Sequence, residues 1–242
     1  MYDKTYDKKS IRTENRDFVN FLLPYLRKND LLVDLGCGTC RKVVLIAPHV
    51  HRVDGMDRSQ EMIEQAKISL VEKKIENVRL FYGDNYNTPF PSRQYDVAST
   101  ALSVWSPSET HRLLKPNGLF FIETLCSDDK KEMKEVFGDD ELGSRGYLCS
   151  QTREERTYYL LAALEPFFDV EEYQFTERET TLSAEGFIGM LQVTPTIRGF
   201  SLEKDGRIIQ QLLSNGEITF IERRMMIRAR AKDIAIKKEK TI

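Results

Sequence analysis

A chain of 242 residues is long enough for one large domain, or for one domain with a small cap, because single hydrophobic cores stop growing near about 250 residues. Its 40% hydrophobic and 31% charged residues are typical of a folded globular protein and exclude an extensively disordered chain. The net charge of -2 provides no overall attraction to nucleic acid or to an anionic membrane, but it does not exclude a local basic patch.

Cysteine usage argues against a secreted disulfide framework, since a chain of this length carries only four cysteines. Cys37 and Cys40 could form a redox pair or half of a zinc site, but no second pair or histidine cluster completes such a site. We therefore favour two cysteines that line a turn, and we expect no metal. The N-terminus lacks the apolar core of a signal peptide, and no apolar run approaches the roughly 20 residues that a membrane span requires. These features predict a cytoplasmic protein without a membrane partner.

The first predicted element is a helix that begins after Thr13 or Asn15 and ends near Pro24. Its apolar residues between positions 18 and 26 have helical spacing. The polar lead-in, residues 1–13, carries Tyr2 and Tyr6.

The central stretch is the apolar run Leu31–Leu35, which ends in an acid and two glycines and predicts a buried parallel strand followed by a tight turn. Gly36 and Gly38 permit a sharp turn and leave room for a ligand on the main chain, because neither residue carries a Cβ. The carboxylate of Asp34 makes this loop unsuited to phosphate, which prefers positive potential. The pattern favours a ligand with an amine or hydroxyl groups.

A second acid, Asp57, follows a second predicted strand at residues 50–56, after a crossover helix at 42–47. The two acids should lie at the carboxyl ends of neighbouring parallel strands, where a carboxylate can accept two hydrogen bonds from a ribose diol. A helix cap is the alternative role for Asp57, but Ser59 is better placed to cap the predicted helix at 60–73.

Further elements follow in the order of a doubly wound α/β protein. Strands are predicted at 77–82, 94–100, 115–123, 167–175 and 217–231, with a short helix within 107–114 and a polar helix within 128–137. Thr152 and Glu155 have capping-box spacing ahead of another helix, and two more helices are predicted at 183–193 and before Asn215-Gly216.

The stretch Val33-Asp34-Leu35-Gly36-Cys37-Gly38-Thr39 resembles the first motif of the class I S-adenosylmethionine-dependent methyltransferases of small-molecule type. The resemblance implies that Asp34 reaches the methionine amino group of the cofactor and that Gly36, Cys37 and Gly38 underlie it. Cys40 stands where that family usually has a third glycine. The rival is the Gly-x-Gly-x-x-Gly dinucleotide fingerprint, which would bind NAD, but its sixth position is Lys42 here and the preceding acid is wrong for it.

The same resemblance extends to later motifs. Gly83-Asp84-Asn85 is similar to the family's adenine-binding corner, and residues 95–100, within the fourth predicted strand, are similar to its post-loop motif. It implies further cofactor contacts from Asp57, Arg58, Asp84, Asn85 and Thr100.

The implied fold is a doubly wound Rossmann-like sheet of seven strands, the last antiparallel, with helices on both faces and an inserted helical cap. We expect a single domain over 1–242. Its predicted parts are a helical segment (1–30), the cofactor-binding core (31–126), substrate-side insertions (127–215) and the last strand (216–232).

The acceptor side has weaker signals. Tyr6, Trp105 and Arg198 are the candidate substrate residues, with Phe187 and Met190 as further candidates for the same wall. No residue is identified as a catalytic base, and the pattern favours a structural role for His111.

The favoured function is methyl transfer from S-adenosylmethionine to a small-molecule acceptor by in-line displacement. Two alternatives stay open: an RNA-modifying methyltransferase, and a module that binds S-adenosylmethionine or S-adenosylhomocysteine without turnover. Arg224, Arg228 and Arg230 share one face of the last strand, but no interleaved aromatics accompany them. Ion pairs with the acidic region 169–179 are therefore favoured over an RNA-binding stripe, and nucleic acid is not the expected partner.

Overall fold

The structure is a computed structural model that describes residues 16–148 and 150–234. The chain divides into two compact units. Within the described residues, the first unit comprises 16–124, 160–174 and 226–234, and the second comprises 125–148, 150–159 and 175–225. The predicted division into one domain with an inserted cap stays a prediction.

A seven-stranded sheet forms the framework. Its members are β1 (Leu31–Leu35), β2 (Arg52–Asp57), β3 (Val78–Tyr82), β4 (Tyr95–Ala101), β5 (Leu114–Leu125), β8 (Phe168–Ser183) and β9 (Glu217–Ala231). The strand order is β3-β2-β1-β4-β5-β9-β8. Strands β1 to β5 pair in parallel, and the sheet contains one antiparallel strand. A separate hairpin pairs β6 (Asp139–Asp140) with β7 (Gly143–Ser144). The predicted Rossmann-like sheet of seven strands is confirmed.

Eight helices connect these strands in the described residues. They are α1 (16–22), α2 (Val43–Ile46), α3 (Gln60–Glu72), α4 (Pro107–Leu113), α5 (Lys131–Glu135), α6 (Arg153–Leu164), α7 (Ala184–Val193) and α8 (Leu202–Leu212). Pro24 ends α1, because the chain passes there into a single 3-10 turn, Leu23–Tyr25. The side chain of Ser59 accepts a hydrogen bond from Met62 N, so it caps α3 as predicted.

The core of the first unit is built on β1, whose apolar run is buried between helices. Leu32, Val33 and Leu35 are fully buried, and the apolar faces of α1 and α3 pack in the same cluster through Phe18 and Ile63. This packing holds the carboxyl end of β1 at a defined position, since removing such side chains from water stabilises the fold by roughly 1.5–3 kcal/mol each.

Strand β8 is longer than predicted, because it continues from Phe168 to Ser183 through the charged segment 176–179. It is the last strand of the sheet, and its residues alternate between partly buried and exposed. Glu177 and Glu179 are exposed, and charged side chains on an edge strand discourage edge-to-edge association, so the polar residues did not mark the end of the strand.

The second unit has its own apolar cluster, built around α7 and α8. Phe187 and Met190 are buried in it together with Leu182, Ile209 and Phe220. No helix of the described residues is both long and apolar enough to cross a membrane.

Candidate cofactor site

Acidic side chains mark the carboxyl ends of neighbouring strands in the first unit. Asp34 lies at the end of β1, Asp57 ends β2, and Asp84 follows β3. The pairing of Asp34 with Gly55 and Ser99, and of Asp57 with Tyr82, places all of these ends at one edge of the sheet. This is the edge at which open α/β sheets bind ligands.

The glycine loop is held by backbone hydrogen bonds to the end of β2. Gly36 N and Cys37 N both donate to Met56 O, at 2.8 and 2.9 Å. The backbone has positive φ at Gly36 (83°), Gly38 (53°) and Cys40 (63°). A left-handed conformation costs a residue with a Cβ roughly 1–2 kcal/mol, which is a physical reason for glycine at the third position. Cys40 adopts it within a turn in which Cys40 N donates to Cys37 O.

Asp34 is a buried carboxyl group beside this loop. Burial raises the pKa of Asp34 to about 6, while a hydrogen bond from Ser99 Oγ and the charge of Lys42 act in the opposite direction. The Ser99 hydrogen bond and the Lys42 charge therefore only partly offset the desolvation of the ionised Asp34 carboxylate. A ligand with a positive charge would stabilise this ionised form.

Two further residues, Lys42 and Glu123, join this cluster and were not predicted as part of the site. Lys42 Nζ lies 2.8 Å from Glu123 Oε2, and Glu123 is buried at the carboxyl end of β5. The position of Glu123 at a strand end was visible in the sequence, but its partner lies 81 positions earlier. The pair links the first turn after the glycine loop to a fourth acidic strand end.

The Asp57 carboxylate contacts the glycine loop directly. Its Oδ2 accepts a hydrogen bond from Gly38 N at 2.9 Å, and its Oδ1 accepts one from Ser59 N at 2.9 Å. Each carboxylate oxygen can accept a second hydrogen bond, so these contacts are compatible with binding a diol as well. Arg58, the next residue, is exposed.

Two consecutive polar residues, one exposed and one buried, lie in the turn after β3. Asp84 is exposed and its Oδ1 accepts a hydrogen bond from Tyr86 N at 3.0 Å. Asn85 is buried, and its Nδ2 donates to Val104 O at 2.9 Å. Within the described residues, Asn85 Oδ1 has no hydrogen-bond partner.

These residues fit a cofactor that carries an amine and hydroxyl groups. A Cβ on Gly38 would meet nothing within 4 Å, so the main chain there is open to a ligand. The buried Asp34 carboxyl group and the unpartnered Asn85 Oδ1 can both accept hydrogen bonds from a ligand. An acceptor that is buried without a donor lowers the stability of the fold. S-adenosylmethionine carries donors of the required kind.

The remaining predicted site residues are distributed over the molecule. Thr100 is buried, and its Oγ1 donates to Leu35 O at 2.8 Å. Trp105 is partly buried, with its ring 5.4 Å from that of Phe120. Arg198 lies in the second unit, where it forms an ion pair with Asp140. Tyr6 and Tyr2 lie outside the described residues.

Three other residues have clear packing roles. Phe187 and Met190 belong to the apolar cluster of the second unit. The ring of His111 is 2.8 Å from Lys232 O through Nε2 and packs against Phe167 and Phe168.

Cys37 and Cys40 are free, buried thiols. A hydrogen bond with the Cys40 thiol, together with burial, raises the pKa of Cys37, so its thiol is neutral near pH 7. Across residues 16–148 and 150–234, no three side chains of His, Cys, Asp or Glu are grouped for metal binding.

The arginines of β9 form ion pairs. Arg228 lies 3.3 Å from Glu171 and 3.5 Å from Glu172, and Arg230 contacts Glu171 at 2.5 Å. Glu171 and Glu172 belong to the acidic region 169–179, which was predicted to pair with these arginines. Arg224 instead pairs with Asp129 and Glu222 in the second unit, which is outside that region.

A family model matches the part of the chain that carries this site. Residues 32–118 match a family model described as a methyltransferase domain. An uncharacterized methyltransferase, YcgJ, from Bacillus subtilis is 29% identical over 103 residues, which are 40% of this chain and 41% of that protein. A probable cobalt-precorrin-6B C(15)-methyltransferase from Methanothermobacter thermautotrophicus is 31% identical over 46% of this chain and 61% of its own length. The chain thus aligns with less than two thirds of the length of these relatives.

Solved structures share the fold over most of the chain. The YcgJ structure covers 90% of this chain and is itself covered completely, with a TM-score of 0.62 and 17% identity. A putative methyltransferase from Bacillus halodurans covers 90% of this chain and is covered to 98%, with a TM-score of 0.65 and 15% identity.

Proposed function

Because the chain belongs to the class I S-adenosylmethionine-dependent methyltransferase superfamily, we propose that it transfers a methyl group from S-adenosylmethionine to a small-molecule acceptor. The observation that carries this proposal is the row of acids at successive strand ends, with Asp34, Asp57 and Asp84 in the order that such a cofactor requires. The open main chain at Gly38 supports it.

Each acid has a role that follows from its chemistry. The buried Asp34 accepts hydrogen bonds from the ammonium group of the cofactor, and this charge pairing favours its ionised form. Asp57 accepts from the ribose hydroxyls through the oxygens that also hold Gly38 and Ser59. The exposed Asp84 accepts from the exocyclic amine of adenine. The other proposed cofactor contacts are Gly36, Cys37, Gly38, Arg58, Asn85 and Thr100.

When bound, S-adenosylmethionine supplies a methyl group on a positively charged sulfur. The protein's task is to hold an acceptor atom in line with that methyl group and to exclude water. We infer no general base from the described residues. His111 does not serve as one, because its Nε2 contacts a backbone carbonyl and its ring is packed between phenylalanines.

Apolar side chains beside the glycine loop support a small acceptor with an apolar part. Leu102 and Val104, in the loop after β4, are 40% and 45% exposed, and Trp105 lies next to them. One relative, from Geobacillus, is named demethylmenaquinone methyltransferase and is 26% identical over 38% of this chain. Tyr6 and Arg198 are further proposed acceptor contacts.

Calorimetric titration with S-adenosylmethionine, and separately with NAD, tests the proposal. We expect saturable binding of S-adenosylmethionine only. Asp57→Ala should weaken this binding at least tenfold, because the variant removes the proposed diol acceptor. The control is Asp169→Ala, which removes an exposed acid of β8 that makes a long surface contact with Lys232.

Binding of NAD in preference to S-adenosylmethionine would contradict the proposal. Equal affinity in the two variants would remove Asp57 from the site. Methyl transfer to any acceptor would show that the protein is an enzyme. It would exclude the alternative of a module that only binds the cofactor or its product.

A further inference from the structure

Asn85 connects three segments that meet at the proposed cofactor site. It is only 6% exposed, although it lies in a turn after β3. Its Nδ2 donates to Val104 O at 2.9 Å and lies 3.5 Å from Ser103 Oγ. The same Nδ2 is 3.5 Å from the position that a Cβ on Gly36 would occupy. One amide group thus bonds to the loop after β4 and lies beside Gly36 of the glycine loop.

The loop after β4, residues 102–106, lies directly on the glycine loop. A Cβ on Gly36 would overlap the Ser103 side chain, so the loop packs where only glycine leaves room for it. Ser103 and Trp105 are partly buried, whereas Leu102 and Val104 are exposed. The loop therefore anchors itself through alternate residues and presents the other two outward.

Leu102 adopts a left-handed backbone conformation, with φ at 55°. A residue with a branched side chain holds this conformation only where its surroundings enforce it. Leu102 N donates to Glu123 O at 2.9 Å, which fixes the start of the loop. The side chain of Asn85 fixes its middle at Val104.

We propose that Asn85 is a positioning residue whose side-chain amide links the adenine end of the cofactor site to the loop that forms the acceptor wall. This inference rests on the proposed function and extends it. Asn85 Oδ1 is buried without a partner among the described residues. A hydrogen-bond donor on the bound cofactor therefore stabilises the Asn85 side chain in its present position. The Val104 contact transmits this stabilisation to Trp105, one residue further along.

The inference can be tested first without any cofactor, because Trp105 is the only tryptophan in the chain. Quenching of its fluorescence by acrylamide measures how firmly the loop is held. We expect Asn85→Ala to increase the quenching constant at least twofold. The control is Asn77→Ala, which removes a similar amide donor, from Ala47 O at 2.8 Å, at the opposite end of the parallel strands.

The second measurement is titration of Trp105 fluorescence with S-adenosylmethionine. In the wild type and in Asn77→Ala, the emission change should have the same midpoint as calorimetric binding. In Asn85→Ala, calorimetric binding should persist within about tenfold while the emission change is lost. Asn85→Asp, which keeps an acceptor but cannot donate to Val104 O, should behave like Asn85→Ala.

Two results would overturn the inference: unchanged quenching in Asn85→Ala, or an intact emission change in both Asn85 variants. Circular dichroism verifies that each variant is folded, and the aspartate variant replaces alanine if alanine fails to fold. If the wild type binds no S-adenosylmethionine by calorimetry, the proposed function and the coupling to it fail. The quenching data would still decide separately whether Asn85 anchors the loop.

Discussion

At the scale of single residues, the site keeps a carboxyl group where burial disfavours its charge. The raised pKa of Asp34, to about 6, means that the native protein holds a proton at pH values where the unfolded chain has already lost it. Stability from this residue is present at low pH and decreases as pH rises from about 4 to about 6. Ionised Asp34 thus costs stability at neutral pH, which is explained if the anion serves a cationic ligand.

Replacement of Asp34 by asparagine should therefore stabilise the protein above pH 7 while damaging ligand binding. Two pKa units correspond to about 3 kcal/mol, so we expect the free energy of unfolding to rise by about 1–3 kcal/mol. The gain should vanish below about pH 4, where the wild-type group is neutral in both states. Urea denaturation from pH 4 to pH 8 measures this difference.

Asp169→Asn is the control, because Asp169 is an exposed acid that should show no such pH-dependent gain. Calorimetry of the Asp34→Asn variant should show at least tenfold weaker binding of S-adenosylmethionine. A destabilisation that is the same at every pH would contradict this explanation.

Cys40 occupies the position at which the resembled motif usually has a third glycine. Its left-handed conformation is the reason that glycine is common there, yet its side chain is fully buried in the core of the first unit. Burial of a small apolar thiol offsets part of the conformational cost.

At the scale of elements, helix termini were the most predictable features. The capping box expected at Thr152 and Glu155 is formed reciprocally, because Glu155 N donates to Thr152 Oγ1 at 3.1 Å and Thr152 N donates to Glu155 Oε2 at 2.8 Å. Helix α6 begins at Arg153, directly after this cap. Such contacts involve neighbours in sequence, so they do not depend on the rest of the fold.

Thr152→Ala should cost about 1 kcal/mol of local stability, because it leaves the Glu155 amide without its acceptor. Amide hydrogen exchange in the first turn of α6 should accelerate by about fivefold, the rate change that corresponds to this energy. Thr157→Ala is the matched control within the same helix, since Thr157 Oγ1 donates back to Arg153 O and also lies 4.0 Å from Met225 Sδ, but does not cap the helix. Equal acceleration in both variants would show that the cap contributes nothing.

At the scale of the whole molecule, charge is balanced locally as well as in total. The net charge is -2, and Arg228 and Arg230 are paired with Glu171 and Glu172. Such pairs contribute little to stability when they are exposed, but they reduce the positive potential that RNA binding requires. This arrangement favours the small-molecule function over RNA modification.

The protein should therefore not be retained by single-stranded RNA at about 150 mM salt, as measured by filter binding. Glu171→Gln combined with Glu172→Gln should increase retention at low salt, because it leaves both arginines without their partners. Glu179→Gln changes an exposed acid on the same strand and should have a smaller effect. Wild-type retention with a steep salt dependence would instead support RNA as the substrate.

The sequence by itself determined the order of the elements and the polar residues at the ends of the parallel strands. Apolar periodicity, caps and glycine turns act between near neighbours, so the run from Leu31 to Gly38, the acid at Asp57 and the bounds of β9 could all be predicted. The length of β8 could not, because its polar residues acquire a strand conformation only from their place at the edge of the sheet.

Tertiary structure alone decided which distant side chains meet. Asp34 with Ser99, Lys42 with Glu123, and Asn85 with Val104 are 65, 81 and 19 positions apart. The first two contacts exist because β4 pairs with β1 and β5, an arrangement that no local pattern encodes. The same pairing buries Asp34 and so raises its pKa, which depends on desolvation and on neighbours from other strands.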